Sequence, residues 1–360
     1  MKKISKIKYG LIGCGRISVN HIQAYLNNKY NLELVALCDI DAKKARILLD
    51  KFGIKENIRI YDDYHKMINK ETLELVAIAT ESGKHAAITI DCLKKKINVI
   101  VEKPMALSIK DADKMIETAK KNSVKLCVSH QNRFNKSIKK LKEALKKNKF
   151  GRIFHGVANI RWNRGKDYYD QANWRGTWEQ DGGALMNQCI HNIDLLRWMM
   201  GSEIDEVFAY TDNLNHPYIE GEDTGLALLK FKNGSYGLIE GTVNVYPENL
   251  EETLYIFGEK GTVKVGGKSV NKIETWKFEG EDEEAILKEF REDPPNVYGF
   301  GHTALYKDMI EAVRENREPY INGKQGKAAL ELVLAIYKSV KTKKSVKLPL
   351  KNFSTLEMKN

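Results

Sequence analysis

Gly10-Leu11-Ile12-Gly13-Cys14-Gly15-Arg16-Ile17-Ser18, near the start of the 360-residue chain, reads as an apolar strand entering a tight glycine turn and then a helix. In such a turn, backbone N–H groups and the positive helix end close on a pyrophosphate, so Gly13, Gly15, Arg16 and Ile17 are expected cofactor contacts. The motif is GxGxxS rather than GxGxxG; the third position serves close helix–strand packing, and a serine is small enough for it. Asp39 ends the next apolar run, at about the spacing where a carboxylate accepts hydrogen bonds from the adenosine ribose hydroxyls. A carboxylate there also repels a 2′-phosphate, which predicts NAD rather than NADP. A bare structural turn for the glycines and a helix N-cap for Asp39 are the alternatives.

Outward from this turn, residues 1–130 alternate short apolar strands (9–12, 34–38, 58–61, 75–79, 99–101, 125–129) with helical periods (17–27, 43–52, 84–93, 109–121). The alternation predicts an α/β fold, a doubly wound parallel sheet in a dinucleotide-binding Rossmann domain. Over 131–360 the pattern changes. A helix-like stretch at 183–200 precedes strands at 206–212, 225–231, 235–243, 253–257, 262–265 and 272–278, an acidic segment at 279–295 and two amphipathic helices at 304–314 and 324–341. This predicts an α+β substrate-binding and oligomerisation domain with an open, largely antiparallel sheet.

Ligands bind at the carboxyl ends of strands in open α/β sheets. Thr80 and His85, after the fourth strand, are therefore expected at the nicotinamide half, although His85 reads equally as a first-turn helix residue. Glu102-Lys103-Pro104 follows the fifth strand and places Lys103 where a cofactor meets its substrate. Further on, Asp181-Gly182-Gly183-Ala184-Leu185-Met186-Asn187-Gln188-Cys189-Ile190-His191-Asn192-Ile193-Asp194 sets Asn187 and His191 four apart, on one face of a helix. Oxidising a secondary alcohol requires removal of the hydroxyl proton as hydride leaves, a task that suits histidine, and a lysine cation stabilises the developing alkoxide. Lys103 and His191 are thus the candidate catalytic pair. Arg161, Arg164, Lys166 and Arg175 precede this helix and can pair with carboxylate or diphosphate oxygens, while Tyr168 and Trp174 offer surfaces to a sugar or base.

These motifs together identify the chain as resembling the Gfo/Idh/MocA oxidoreductases over essentially its full length. The resemblance implies a Rossmann domain, Glu102-Lys103-Pro104 as the family's EKP motif at the cofactor, His191 as its active-site histidine, and a homotetramer formed through the open C-terminal sheet. Many members carry aspartate where this chain has Asn187. The strings at 129–134, 173–178, 184–194 and 298–302 resemble one subgroup, the WlbA-type dehydrogenases. In that subgroup asparagine is normal at the Asn187 position, and the enzymes oxidise the C3 hydroxyl of UDP-N-acetylglucosaminuronic acid for surface polysaccharide. The same strings imply Gln131 as a cofactor contact, and Trp174, Arg175, Asn187 and His302 as substrate contacts. An inositol or other sugar dehydrogenase or ketoreductase of this family, and a non-catalytic NAD-binding sensor, are the competing readings.

Composition narrows the classes. The five cysteines (Cys14, Cys38, Cys92, Cys127, Cys189) form no CxxC pair and sit in apolar contexts, so buried free thiols are expected, with neither a disulfide framework nor a metal site. The net charge of +11 resides largely in lysines at helical spacing, as over 139–147, mixed with acids and without interleaved aromatics. That is a solvated helix face, so no nucleic-acid partner is expected. No apolar run approaches the ~20 residues of a membrane span, and the start leads into a strand, which points to the cytoplasm.

Overall fold

The computed structural model describes residues 5–267, 269–294 and 299–359. It divides into two compact units: one takes the chain up to Ala106, Lys110–His130 and His302–Lys327, the other Leu107–Ile109, Gln131–Gly301 and the chain from Ala328 on.

In the first unit, strands β1 (Ile7–Ile12), β2 (Leu32–Cys38), β3 (Arg59–Tyr61), β4 (Leu75–Ile78), β5 (Asn98–Val101) and β6 (Leu126–Val128) form one sheet in the order β3-β2-β1-β4-β5-β6. Every neighbouring pair is parallel. All four residues of β4 are buried, as expected for a parallel strand covered on both faces. The intervening helices are α1 (Ser18–Asn27), α2 (Ala42–Lys51), α3 (Tyr64–Lys70), α4 (Ser82–Lys94) and α5 (Ile109–Asn122). Helix α3 is additional to the sequence expectation; the Asp63 side chain caps it by accepting from the His65 N–H at 2.8 Å. The strand order reverses between β1 and β4, which opens a crevice at their carboxyl ends.

The second unit contains α6 (Lys136–Lys146), β7 (Ile153–Arg161), α7 (Lys166–Tyr169), α8 (Ile190–Met200), β8 (Ile204–Asp212), β9 (Thr224–Phe231), β10 (Tyr236–Thr242), β11 (Glu251–Gly258), β12 (Gly261–Gly266), β13 (Lys272–Phe278) and α9 (Glu283–Glu289). Helix α10 (Gly301–Arg314) returns to the first unit from His302 on; α11 (Gly323–Thr342) leads back, and β14 (Val346–Lys347) follows. The sheet runs β13-β12-β11-β7-β10-β9-β8-β14. It is antiparallel except where β7 meets β10. Helix α8 lies flush on β7: a Cβ at Gly156 would come within 2.7 Å of Leu196 and 2.8 Å of Met200.

The helix expected over 183–200 runs without a break from Ala184 to Met200 and contains a π-turn near its start. Gly182 and Gly183 hold φ of +87° and +95°, outside the helical region and open chiefly to glycine. A π-turn, Leu185–Cys189, then precedes α8.

Candidate active site

The first unit builds a dinucleotide cradle. Gly13 has φ +93°, and a Cβ there would stand 2.5 Å from the backbone of Ala79, so no side chain fits. Gly15 is exposed, with nothing within 4 Å of where its Cβ would be. The room in front of it is what a diphosphate needs for close backbone approach. Ser18 fills the third position, fully buried, its hydroxyl donating to the Gly15 carbonyl at 2.5 Å. No side chain caps α1, whose start lies beside the exposed Arg16 and the half-buried Ile17; the Ser18 and Asn20 N–H groups bond the Gly15 and Ile17 carbonyls. Asp39 accepts from the Cys14 N–H at 2.8 Å and from the Asp41 N–H at 2.9 Å, which fixes its carboxylate at the end of β2. These features fit NAD, the diphosphate at Gly15 and the ribose hydroxyls at Asp39. Asp39→Ala is expected to narrow the preference for NAD over NADP, read from kcat/KM with both cofactors; equal use of the two by the unmodified protein would remove Asp39 from the site.

His85 is enclosed, its Nδ1 2.8 Å from the Pro104 carbonyl and its Nε2 3.1 Å from the Thr80 carbonyl. Burial depresses its pKa. It sits between the half-buried Thr80 loop and the segment after β5, and its neutral ring donates to one of the two carbonyls. Glu102 is likewise inside: its Oε1 lies 3.1 Å from His21 Nε2 and 3.3 Å from His302 Nε2. Tyr306 joins His21 Nδ1 at 2.6 Å and Tyr9 at 2.7 Å. Burial alone would raise the Glu102 carboxyl, but the two imidazoles outweigh it and hold it well below the ordinary range. So His302, expected at the substrate, bonds the EKP glutamate, and Glu102 is anchored from within the fold. Lys103, the next residue, is half-buried at the end of β5.

In the second unit, His191 lies on the first turn of α8, 7% exposed, with its Nε2 3.4 Å from Gln131 Nε2. Glu222 and Tyr337 hold the π-turn before it. Glu222 Oε1 accepts from the Leu185 N–H and from Tyr337, each at 2.7 Å, and the Tyr337 hydroxyl accepts from the Met186 N–H at 3.3 Å. Burial pushes the Glu222 carboxyl up to about 8. A side chain at Gly183 would collide with both. Within the turn, Asn187 donates to Asp181, whose other oxygen accepts from the Gly176 N–H at 2.7 Å. Gln188 accepts from Arg164 Nε at 2.9 Å and donates to the Tyr168 hydroxyl at 2.8 Å. Arg175 also donates to that hydroxyl, and its guanidinium lies 4.2 Å from the Tyr168 ring centroid and 4.8 Å from that of Trp174. Arg164, Tyr168, Trp174, Arg175 and Asn187 thus surround one short stretch of chain.

Arg161 does not join them. It pairs with Glu240 and Glu251, each at 2.5 Å, as a cross-strand bridge on the sheet. Lys166 pairs with Asp170 on the surface at 2.6 Å. Asp181 and Gln188 belong to the motif string, yet their roles appear only in the hydrogen bonds. His21, Tyr306, Glu222 and Tyr337 come from distant segments, and no sequence signal marks them. All five cysteines are free and buried.

Residues 7–130 match the family model described as the Gfo/Idh/MocA oxidoreductase family, NAD-binding Rossmann fold, and residues 142–348 match that family's C-terminal alpha/beta domain. Myo-inositol 2-dehydrogenase of Thermotoga maritima is 29% identical over 350 residues, covering 95% of this chain and 98% of its own. The WlbA dehydrogenase of Bordetella pertussis, solved with NADH and UDP-GlcNAcA, is 39% identical with a TM-score of 0.90, covering 96% of this chain and 99% of that one. Its counterpart from Chromobacterium violaceum, solved with the same two ligands, is 38% identical with a TM-score of 0.88, covering 96% and 97%. With both of its units matched and a cradle built for a dinucleotide, the chain belongs to the Gfo/Idh/MocA family and is an NAD-dependent oxidoreductase.

Proposed function

We propose that the protein oxidises the C3 hydroxyl of a UDP-linked 2-acetamido uronic acid, UDP-N-acetylglucosaminuronic acid, in making surface polysaccharide sugars in the cytoplasm. The observation that carries this reading is the convergence of Arg164 and Arg175 on Tyr168 and Gln188, beside Asn187 and just ahead of His191. Two guanidinium groups suit a substrate that carries both a carboxylate and a diphosphate, and the flanking rings suit a sugar. The likeness to two dehydrogenases solved with NADH and UDP-GlcNAcA supports the same substrate class. NAD, when bound, accepts the hydride. His191 takes the hydroxyl proton, and the Lys103 ammonium stabilises the alkoxide as the C–H bond breaks.

A thermal-shift screen of nucleotide sugars with NAD present tests this. The named sugar nucleotide at a hundred times its dissociation constant is expected to stabilise the protein by about 2.7 kcal/mol. Arg175→Ala is expected to cost on the order of 2–5 kcal/mol of that binding, as for the loss of one partner of a desolvated charge pair. A response to myo-inositol and none to the sugar nucleotide would move the protein to the polyol reading, which the Thermotoga relative favours.

The open sheet supports a homo-oligomer, a tetramer in this reading. Leu226 and Leu228 on β9 and Tyr236 and Leu238 on β10 alternate with buried neighbours and remain exposed on one face. A contiguous apolar surface of this kind is normally covered. Light scattering is expected to give the mass of several chains, falling when Leu228 and Tyr236 are both replaced by lysine. A monomeric unmodified protein would remove the proposal.

A further inference from the structure

The 3-10 turn Gln131–Phe134 grips α8 at two points one helical turn apart. Gln131, 1% exposed, places its amide nitrogen 3.4 Å from His191 Nε2. Two residues on, Arg133 makes a bidentate pair with Asp194, Nε to Oδ2 at 2.6 Å and an η-nitrogen to Oδ1 at 2.5 Å. His191 and Asp194 are i and i+3, so they share a face of α8. The adjacent Asn192 fixes the helix to the sheet, donating to the Thr253 carbonyl at 2.7 Å and to the Asn159 carbonyl at 3.3 Å. The helix is held from both sides, with little freedom to rotate about its axis.

We propose that Gln131 is the positioning residue that orients the His191 imidazole, and that the Arg133–Asp194 pair keeps Gln131 in place. An amide nitrogen only donates, so His191 Nε2 presents its lone pair, and the neutral ring carries its proton on Nδ1. Nε2 is then the basic nitrogen of the ring. Because glutamine is neutral, it directs the ring without the upward pKa shift that a carboxylate in its place would bring. The other charges on this side are Asp194, Arg133 and Arg197, with Arg197 3.4 Å from Asp194, and together they carry one net positive charge. This role differs from a contact between Gln131 and the cofactor, and it rests on the reading of His191 as the proton acceptor.

The test combines 15N-histidine NMR of the whole substrate-free protein, with the His191 signals assigned by their loss in His191→Asn, and pH–rate profiles. The unmodified protein is expected to show His191 as the Nδ1–H tautomer. Gln131→Met is expected to abolish that preference and lower kcat about tenfold to a hundredfold with the KM for NAD little changed, the scale of a misplaced reacting group. Gln131→Glu retains a contact but adds charge, and is expected to move the acid limb of kcat/KM upward by about one pH unit or more. An unchanged His191 spectrum in Gln131→Met, or a loss confined to NAD affinity, would overturn the proposal. Should His191→Asn retain activity, the proton-acceptor reading fails, while the spectra still decide whether Gln131 sets the ring.

Discussion

Lys103→Met and His191→Asn are each expected to lower the rate of hydride transfer by roughly 10² or more, the usual scale for a general acid–base group, with NAD affinity close to that of the unmodified enzyme. The alcohol cannot release hydride while its proton stays on oxygen, so losing the acceptor leaves that proton to water. Losing the lysine cation leaves the alkoxide charge without a preorganised partner. Neither substitution touches the cradle at Gly13, Gly15 and Asp39, so the dinucleotide should still bind. Stopped-flow absorbance with saturating substrate gives the transfer rate, and fluorescence titration gives the affinity. A His191→Asn variant with nearly full activity would show that this imidazole is packing alone.

Asp194→Ala is expected to cost about 3–5 kcal/mol of folding stability, the range for breaking a buried ion pair from one side. Asp194 is fully buried against Arg133 and Arg197, so its removal takes away the carboxylate that both guanidinium groups face. Replacing Arg133 and Asp194 together by apolar residues of similar volume should recover much of the loss, because the charge at Arg133 goes with that of Asp194. Urea unfolding of the single and double variants measures both. A loss below about 1 kcal/mol for Asp194→Ala would show that the pair is solvated rather than buried.

The first unit was largely legible because its signals are local. The run from Gly10 to Ser18 specifies strand, turn and helix within nine residues, and each buried parallel strand is a short apolar block. In the second unit β7 escaped the reading although it lies mid-sheet and supplies the one parallel pairing. Its sequence, Ile153-Phe154-His155-Gly156-Val157-Ala158-Asn159-Ile160-Arg161, mixes small and polar residues because Gly156 must admit α8 and Arg161 must meet two glutamates. The π-turn before α8 was equally hidden, since apolar spacing over five residues cannot separate one helical period from another. Arg164, Arg175, Tyr168 and Asn187, all expected at the substrate, share one hydrogen-bond network through Gln188. Arg161 was misleading: a basic residue next to a motif looks the same whether it meets a ligand or cross-strand acids. The burial of Glu102 with His21 and His302 depends on segments far apart in sequence, which no single-sequence pattern records.

The most direct test of the account is turnover of UDP-N-acetylglucosaminuronic acid labelled with deuterium at C3, with NAD, followed by mass spectrometry of both products. The account predicts a 3-keto sugar nucleotide that has lost its label and NADH that has gained it. Unchanged sugar nucleotide, with myo-inositol or a free hexose oxidised readily under the same conditions, would contradict it.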